Sequence, residues 1–300
     1  MSFERPWIER YAPGTPTDIT VPDVPITHDL VRNADLSADH PALVFGGLVG
    51  PLSNLLLDAS ISYGELLDTT RRLAAGLQRL GVAKGDRVII HLPNCPQFVF
   101  AYGATLMIGA VAVPSNPECV ARELAQQASD CGAETIVTLS LTYAIVEQIR
   151  HSTPLNRVIV TNIKEYFPRS LRFLFGLFRE RRTGHRLNVA ALANAHSFQG
   201  LLTTSPSAPT PVDVGMDDTA VLAYTGGTTG TPKAAELTHR NVQANAAQIR
   251  AWFPRYNEGE KTILAVLPFF HCYGMSACLN LGIHTRSTLI LIPDPRVAEH

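Results

Sequence analysis

The sequence predicts an α/β fold in which layered, mostly parallel sheets are flanked by helices. From residue 61 onward, short runs of apolar residues alternate with segments of helical periodicity. Continuously apolar strands of this kind are typical of parallel sheets whose two faces are both covered. With 300 residues, of which 46% are hydrophobic and 17% charged, the chain is long and apolar enough to bury a sizeable core.

A change of pattern near residue 61 divides the chain. Residues 1–60 are rich in proline and are predicted to be irregular, with at most short helices near 27–33. Residues 61–300 form the predicted α/β domain. Its first helix follows the run Ser62-Tyr63-Gly64-Glu65 and extends to about Leu80, where Gly81 ends it as a C′ glycine. Further strands are predicted at 87–91, 110–113, 135–139 and 157–161, and further helices at 96–108, 120–129 and 143–150.

A basic and aromatic segment at residues 163–186 departs from the globular pattern. Six arginines interleave there with bulky apolar residues such as Phe167, Leu174, Phe175 and Phe178. We predict a surface helix, for which two interpretations remain open. The helix either covers the core with a solvated arginine face, or lies peripherally on the inner face of the membrane. Nucleic-acid binding is a third alternative and has the least support.

A polar Pro/Ser connection at residues 197–215 leads into a predicted strand at 219–224 and then into a glycine-rich run. This glycine-rich run, residues 224–233, holds three glycines, four threonines and one lysine, and no acidic side chain. Glycines let backbone N–H groups approach an anion, threonine hydroxyls donate hydrogen bonds, and lysine suits phosphate. A helix is predicted at 241–252, and strand, loop and helix in succession commonly hold a polyphosphate. A flexible surface turn without a ligand would have the same composition.

Composition narrows the classes of function. The formal net charge of −1 gives no reason to expect nucleic-acid binding. The five cysteines show neither C-x-x-C pairs nor zinc-ligand spacing, so we expect no metal site and buried free thiols in a cytoplasmic protein. Two uncharged stretches, residues 92–117 and 263–284, are interrupted by proline and glycine, which favours buried core elements over membrane spans.

A second motif follows a strand predicted at 262–267. It reads Pro268-Phe269-Phe270-His271-Cys272-Tyr273-Gly274. Taken alone, a histidine among aromatic residues is more often a hydrogen-bonded core residue than a catalytic group. Its position after the glycine-rich run is the reason to consider a role for this histidine at a substrate site.

Together these motifs resemble the adenylate-forming superfamily, which contains acyl-CoA synthetases, luciferases and the adenylation domains of peptide synthetases. Residues 224–233 and 237–241 resemble its phosphate-loop signature, and residues 268–274 resemble its P-x-x-H-x-x-G motif. Residues 81–88, 92–98 and 109–117 resemble three earlier landmarks, to which we assign no chemistry. The chain is most similar to bacterial long-chain fatty acid–CoA ligases, and the resemblance implies part of their large N-terminal AMP-binding domain.

The resemblance implies a ligase with two half-reactions. A fatty carboxylate attacks the α-phosphorus of ATP, and the thiol of coenzyme A then displaces AMP. Lys233 and His271 would be the catalytic residues, whereas Cys272 and Cys278 would pack rather than react. Mg²⁺ would be held through the ATP phosphates. The residues implied in ATP binding are Tyr224, Thr225, Gly226, Gly227, Thr228, Thr229, Gly230, Thr231 and Lys233, and those implied at the substrate carboxylate are Phe270, His271, Tyr273 and Gly274.

The chain departs from the family pattern in two respects. Ala234 and Glu236 stand where relatives usually carry glycine and an apolar residue, and a positive φ at Ala234 would strain the loop by roughly 1 kcal/mol. The chain also ends at His300, so we expect the C-terminal lid domain to be absent and the 300-residue chain to be inactive by itself.

Three hypotheses of function remain after the sequence. The first is the N-terminal part of a long-chain fatty acid–CoA ligase. The second is an enzyme of the same superfamily that adenylates another acid, such as an aryl, medium-chain or amino acid. The third is a naturally truncated protein that binds nucleotides or lipid surfaces without catalysis. A homodimer is a further expectation, because the superfamily includes dimers.

Overall fold

A computed structural model describes residues 5–49, 52–182, 184–225 and 233–293, and its framework is two sheets flanked by helices. The strands are β1 (Pro41–Val49), β2 (Leu52–Ser62), β3 (Arg87–His91), β4 (Val111–Pro114), β5 (Thr135–Leu139), β6 (Arg157–Thr161), β7 (Ala195–Ser197), β8 (Thr219–Thr225), β9 (Lys233–Thr238), β10 (Thr262–Ala265) and β11 (Thr288–Leu291). The helices are α1 (Ile26–Leu36), α2 (Tyr63–Arg79), α3 (Pro96–Met107), α4 (Ala121–Cys131), α5 (Tyr143–Ile149), α6 (Arg169–Phe178), α7 (Phe198–Thr204), α8 (His239–Ala251), α9 (Cys272–Gly274) and α10 (Leu281–His284).

The larger sheet has seven strands in the order β7-β6-β5-β3-β4-β8-β9. Neighbouring strands are parallel except for β8 and β9, which are antiparallel. Along the central strand β3, Val88 and Ile90 join one buried cluster with α2 and α3, whereas Ile89 joins another with α4 and α5. Both faces are therefore covered, and the predicted α/β fold with mostly parallel strands is confirmed.

The smaller sheet contains the strands β10-β11-β1-β2 and draws on both ends of the chain. Strand β1 pairs in parallel with β11 and antiparallel with β2. The prediction that residues 1–60 are irregular is therefore wrong for 41–49 and 52–60. Leu43 and Phe45 are buried in the same cluster as Leu289 and Leu291, so this strand depends on a partner distant in the sequence.

Helix α2 ends where the sequence predicts, but it begins at Tyr63, inside the run that was expected to precede it. The Ser62 hydroxyl accepts a hydrogen bond from Glu65 N at 3.2 Å, and the Glu65 carboxylate accepts one from Ser62 N at 2.8 Å. Gly81 has a φ of 86°, which a residue with a Cβ rarely adopts. The predicted C′ glycine is confirmed.

The helix predicted at 241–252 is confirmed as α8, but the unpredicted strand β9 lies between it and the glycine-rich run. Strand β9 runs antiparallel to β8, with Thr225 opposite Lys233 and Tyr224 opposite Ala234. Helix α8 begins only after Thr238, whose hydroxyl accepts a hydrogen bond from Asn241 N at 3.2 Å. The N-terminus of this helix therefore does not directly follow the run, and residues 226–232 themselves lie outside the described ranges.

Three further predictions are adjusted by the structure. Among the described residues of the basic segment 163–186, only Arg169–Phe178 is α-helical, and a 3₁₀ turn at Ile163–Tyr166 precedes it. The Pro/Ser connection begins at Ser205, because α7 occupies the residues before it. Cys272 is exposed and does not pack in the core, whereas Cys278 is buried as expected. Cys131 is only partly buried.

The two uncharged stretches contribute core elements, as predicted, except that Leu264 and residues 271–273 of the second stretch are exposed. The first forms α3 and β4, and every residue from Pro96 to Leu106 is buried. The second supplies β10, α9, α10 and a π-helical turn at Met275–Asn280. None of the helices in the described part of the chain combines the length and the apolar character needed to cross a bilayer.

Candidate active site

A cavity of about 490 Å³ opens at the carboxyl ends of strands from both sheets. The larger sheet contributes Asn94 after β3, Asn116 after β4 and Leu139 at the end of β5. The smaller sheet contributes Val266 after β10 and Ile292 after β11. Parallel strands bring their carboxyl ends to one edge, where α/β proteins commonly bind ligands. The volume lies within the range of roughly 300–1,000 Å³ that is usual for small-molecule sites.

The wall of this cavity is mainly apolar and carries little charge. Leu139, Ile163, Val266 and Phe270 are among its lining residues. Among the lining residues that the structure describes, only Glu118 and His185 are titratable. Burial lowers the pKa of His185, which keeps its imidazole neutral near pH 7. The cavity therefore suits an apolar body better than a polyanion.

A buried asparagine fixes the segment that leads into the second motif. Asn94 Nδ2 donates hydrogen bonds to the carbonyl oxygens of Ala265 and Leu267, each at 2.9 Å. Its Oδ1 accepts a hydrogen bond from Phe269 N at 2.8 Å. These bonds join the end of β3 to the end of β10, so the two sheets meet at a defined distance beside the cavity. The sequence analysis missed this role, although a polar residue three positions after a buried strand was its signal.

A close backbone approach shapes the same segment at Gly274. A Cβ at this position would lie 2.2 Å from the carbonyl oxygen of Pro268 and 2.7 Å from that of Leu267. No side chain other than hydrogen fits without moving the backbone. Gly274, predicted at the substrate pocket, thus allows the chain to fold back tightly over residues 267–268.

The other predicted residues of this motif divide into two groups. Phe270 is half-buried, packs against the core and lines the cavity. His271 and Tyr273 are exposed, and His271 Nδ1 accepts a hydrogen bond from Tyr273 N at 3.3 Å. The structure therefore brings Phe270 to the cavity and leaves the His271 imidazole at the surface beside it. Contact of either residue with a substrate carboxylate stays a prediction.

Three residues of the glycine-rich run are described, and they lie at the open end of the β8–β9 pair. The Thr225 hydroxyl donates to the carbonyl oxygen of Lys233 at 3.3 Å, and both residues are exposed. The Tyr224 hydroxyl instead donates to the Asp130 carboxylate on α4. Burial, followed by this hydrogen bond, raises the pKa of Tyr224. The Tyr224 side chain is thus directed toward α4, and its contact with a nucleotide stays a prediction.

The run begins at the same sheet edge as the cavity. Strand β8 lies next to β4 in parallel, with Ala112 opposite Val221, so their carboxyl ends point the same way. Residues directly after β4 line the cavity, and Thr225 ends β8. The predicted site residues Gly226, Gly227, Thr228, Thr229, Gly230 and Thr231 lie outside the described ranges.

The two departures from the family pattern are accommodated in β9. Positive φ values among described residues other than glycine occur only at Asn194 and Arg286, so Ala234 carries no such strain. Glu236 lies on the exposed edge strand, and its carboxylate accepts a hydrogen bond from the Thr219 hydroxyl. Neither side chain disturbs the pairing with β8.

Metal ligation by the protein alone finds no support in the described ranges. No group of three or more His, Cys, Asp or Glu side chains is placed to hold an ion there. The described residues beside the run offer a hydroxyl at Thr225 and an ammonium at Lys233, which suit phosphate oxygens rather than a cation.

The sequence of this chain is similar to those of known proteins. A family model described as "AMP-binding enzyme" matches residues 30–299. A long-chain-fatty-acid–CoA ligase of Bacillus subtilis is 31% identical over 98% of this chain and 51% of its own length. The 4-coumarate–CoA ligase 3 of Oryza sativa is 32% identical over 78% of this chain and 37% of its own length.

A solved structure has the same fold as this chain. A long-chain-fatty-acid–CoA ligase (FadD1) from Archaeoglobus fulgidus superimposes with a TM-score of 0.74 at 24% identity, over 97% of this chain and 52% of that one. The two share an architecture of sheets flanked by helices. The chain spans about half the length of the curated relatives it matches.

Proposed function

The chain belongs to the AMP-binding enzyme family, and on this premise we propose that it is the N-terminal part of a long-chain fatty acid–CoA ligase. The observation that carries the proposal is the apolar cavity at the carboxyl edge of the two sheets. An acyl chain is an apolar body that such a wall accommodates. The glycine-rich run begins one strand away at the same edge of the sheet, so we expect one ligand to span the cavity and the run.

In the proposed reaction, the acyl chain lies in the cavity and the ATP phosphates lie at the glycine-rich run. The fatty carboxylate attacks the α-phosphorus of ATP, pyrophosphate leaves, and the coenzyme A thiolate then displaces AMP from the acyl-adenylate. Negative charge that develops on the departing pyrophosphate would be stabilised by Lys233 and the hydroxyl of Thr225. Mg²⁺, brought by ATP, would neutralise part of the phosphate charge. Asn94 takes no part in bond making and positions the segment that carries Phe270 and His271.

The cavity gives the proposal a quantitative expectation. Burial of one methylene contributes about 0.8 kcal/mol, so each added methylene should tighten fatty-acid binding roughly fourfold until the cavity is filled. We expect this series in equilibrium titrations of the 300-residue chain with saturated fatty acids of increasing length, without ATP or coenzyme A. An unchanged affinity along the series would contradict the proposal.

A matched pair of variants assigns the binding to the cavity. Val266→Asp places a carboxylate in the apolar wall and should weaken fatty-acid binding more than tenfold. Leu264→Asp, two residues earlier on a side chain that is 56% exposed, should leave the affinity unchanged. Equal losses in both variants would place the fatty acid elsewhere.

A second substrate class has one specific observation in its favour. The similarity to a 4-coumarate–CoA ligase shows that a relative named for an aromatic acid aligns with most of this chain. The same titration with coumarate separates the two, since an aromatic acid cannot gain from a longer apolar tail. Tighter binding of coumarate than of long-chain fatty acids would favour this second function.

A further inference from the structure

Helix α6 leaves four large apolar side chains uncovered. Phe173, Leu174, Leu177 and Phe178 lie at positions i, i+1, i+4 and i+5, and therefore on one side of the helix. Phe173 is 68% exposed, Leu177 64% and Phe178 61%. We name these four side chains the α6 apolar face. Contiguous apolar surface of this kind commonly marks a site of interaction.

Contacts on the other side of the helix keep this face turned outward. Phe175 packs edge-on against Phe167, with ring centroids 5.5 Å apart, and against His185 at 5.3 Å. An ion pair between Lys164 Nζ and Glu180 Oε2, 2.5 Å long, ties the end of α6 to the preceding 3₁₀ turn. Phe175 therefore holds the inward position, and the apolar face lies on the side of the helix away from these contacts.

Exposed arginines accompany the apolar face. They are Arg169, Arg172, Arg179, Arg181, Arg182 and Arg186. The two acidic residues of the segment, Glu165 and Glu180, are only partly exposed and are engaged in hydrogen bonds with Thr161 and Asn162. The charge presented to solvent around α6 is therefore positive, although the whole chain has a net charge of −1.

We propose that α6 docks on an anionic lipid bilayer. The apolar face would enter the boundary between headgroups and acyl chains, and the arginine guanidinium groups would contact lipid phosphates. A bilayer with anionic lipids matches both the arginines and the α6 apolar face, because its surface is negatively charged and the layer directly beneath is apolar. Two residues that flank α6, Ile163 and His185, also line the apolar cavity, so the docked bilayer would lie beside it.

The proposal is tested by sedimentation of the 300-residue chain with phosphatidylglycerol vesicles and, separately, with phosphatidylcholine vesicles. Binding to the anionic vesicles is expected, with weakening at high salt. Phe173→Ser/Leu177→Ser removes apolar contact, and Arg181→Glu/Arg182→Glu reverses charge. Each double variant should bind at least about tenfold more weakly. All four side chains are exposed, so the fold should persist, as circular dichroism would verify.

Matched controls come from exposed residues elsewhere on the surface. Leu36→Ser/Val120→Ser removes two exposed apolar side chains, and Arg122→Glu/Arg255→Glu reverses two exposed charges. Both controls should bind vesicles as the unaltered chain does.

Three results would overturn the proposal. They are absent binding to anionic vesicles, equal losses in controls and α6 variants, and a dimer in gel filtration that the α6 variants dissociate. The last result would assign the face to a second copy of the chain. No nucleotide, coenzyme A or fatty acid is present, so the outcome does not depend on the proposed ligase function.

Discussion

Helices α3 and α6 are both rich in large apolar residues, yet their surroundings are opposite. Every residue of α3 from Pro96 to Leu106 is buried, and the helix carries no charged side chain. Helix α6 contains no buried residue, and arginines begin it and follow it. Apolar content alone therefore does not tell a core helix from a surface helix, whereas flanking charge does. We expect substitutions in α3 to act on stability and substitutions in α6 to act on binding.

A phenylalanine in each helix gives the sharpest test of this difference. Phe98 in α3 is fully buried and packs on Tyr102 and Phe269. Phe98→Ala should lower the free energy of unfolding by about 3–5 kcal/mol, because it leaves a cavity in the core. Phe173→Ala in α6 should change it by less than about 0.5 kcal/mol. Urea denaturation measures both, and similar midpoints for the two variants would contradict the comparison.

Asn94, just before α3, shows how the buried region supports the site. Asn94→Leu removes three hydrogen bonds and leaves the buried N–H of Phe269 without its acceptor. The free energy of unfolding should fall by about 1–3 kcal/mol, and fatty-acid affinity should fall with it, since Val266 and Pro268 of this segment line the cavity. Asn188→Leu, at an exposed asparagine, is the control and should alter neither quantity. Unchanged unfolding in Asn94→Leu would show that these bonds do not hold the two sheets together.

The sequence predicted strands β3, β5 and β6 with their observed bounds. Each is a short run with an apolar, β-branched centre and lies between helical segments, so local pattern and tertiary burial agree. Strand β1 was missed because Gly46 and Gly47 interrupt its apolar run, although its antiparallel partner β2 follows it directly in the chain. Strand β9 was missed because Lys233 and Glu236 give it the composition of a loop, and an exposed edge strand needs no apolar face.

In the candidate site, the sequence marks the two motifs but not the residues that position them. The glycine-rich run and the motif that contains His271 stand out by their residue types, and their roles in binding stay predictions. The role of Asn94 was not predictable, since its three bonding partners lie more than 170 residues away in the sequence. The direction of the Tyr224 side chain also depends on tertiary structure, because only packing brings Asp130 to its hydroxyl.

The central claim is that one ligand spans the apolar cavity and the glycine-rich run. Calorimetric titration of the 300-residue chain with a non-hydrolysable long-chain acyl-adenylate analogue tests it most directly. The account predicts tighter binding than for the fatty acid or AMP alone, because linked parts bind with the benefit of effective concentration. It also predicts a large loss in Val266→Asp and none in Leu264→Asp. An analogue that binds no better than AMP, or that Val266→Asp binds equally well, would contradict the claim.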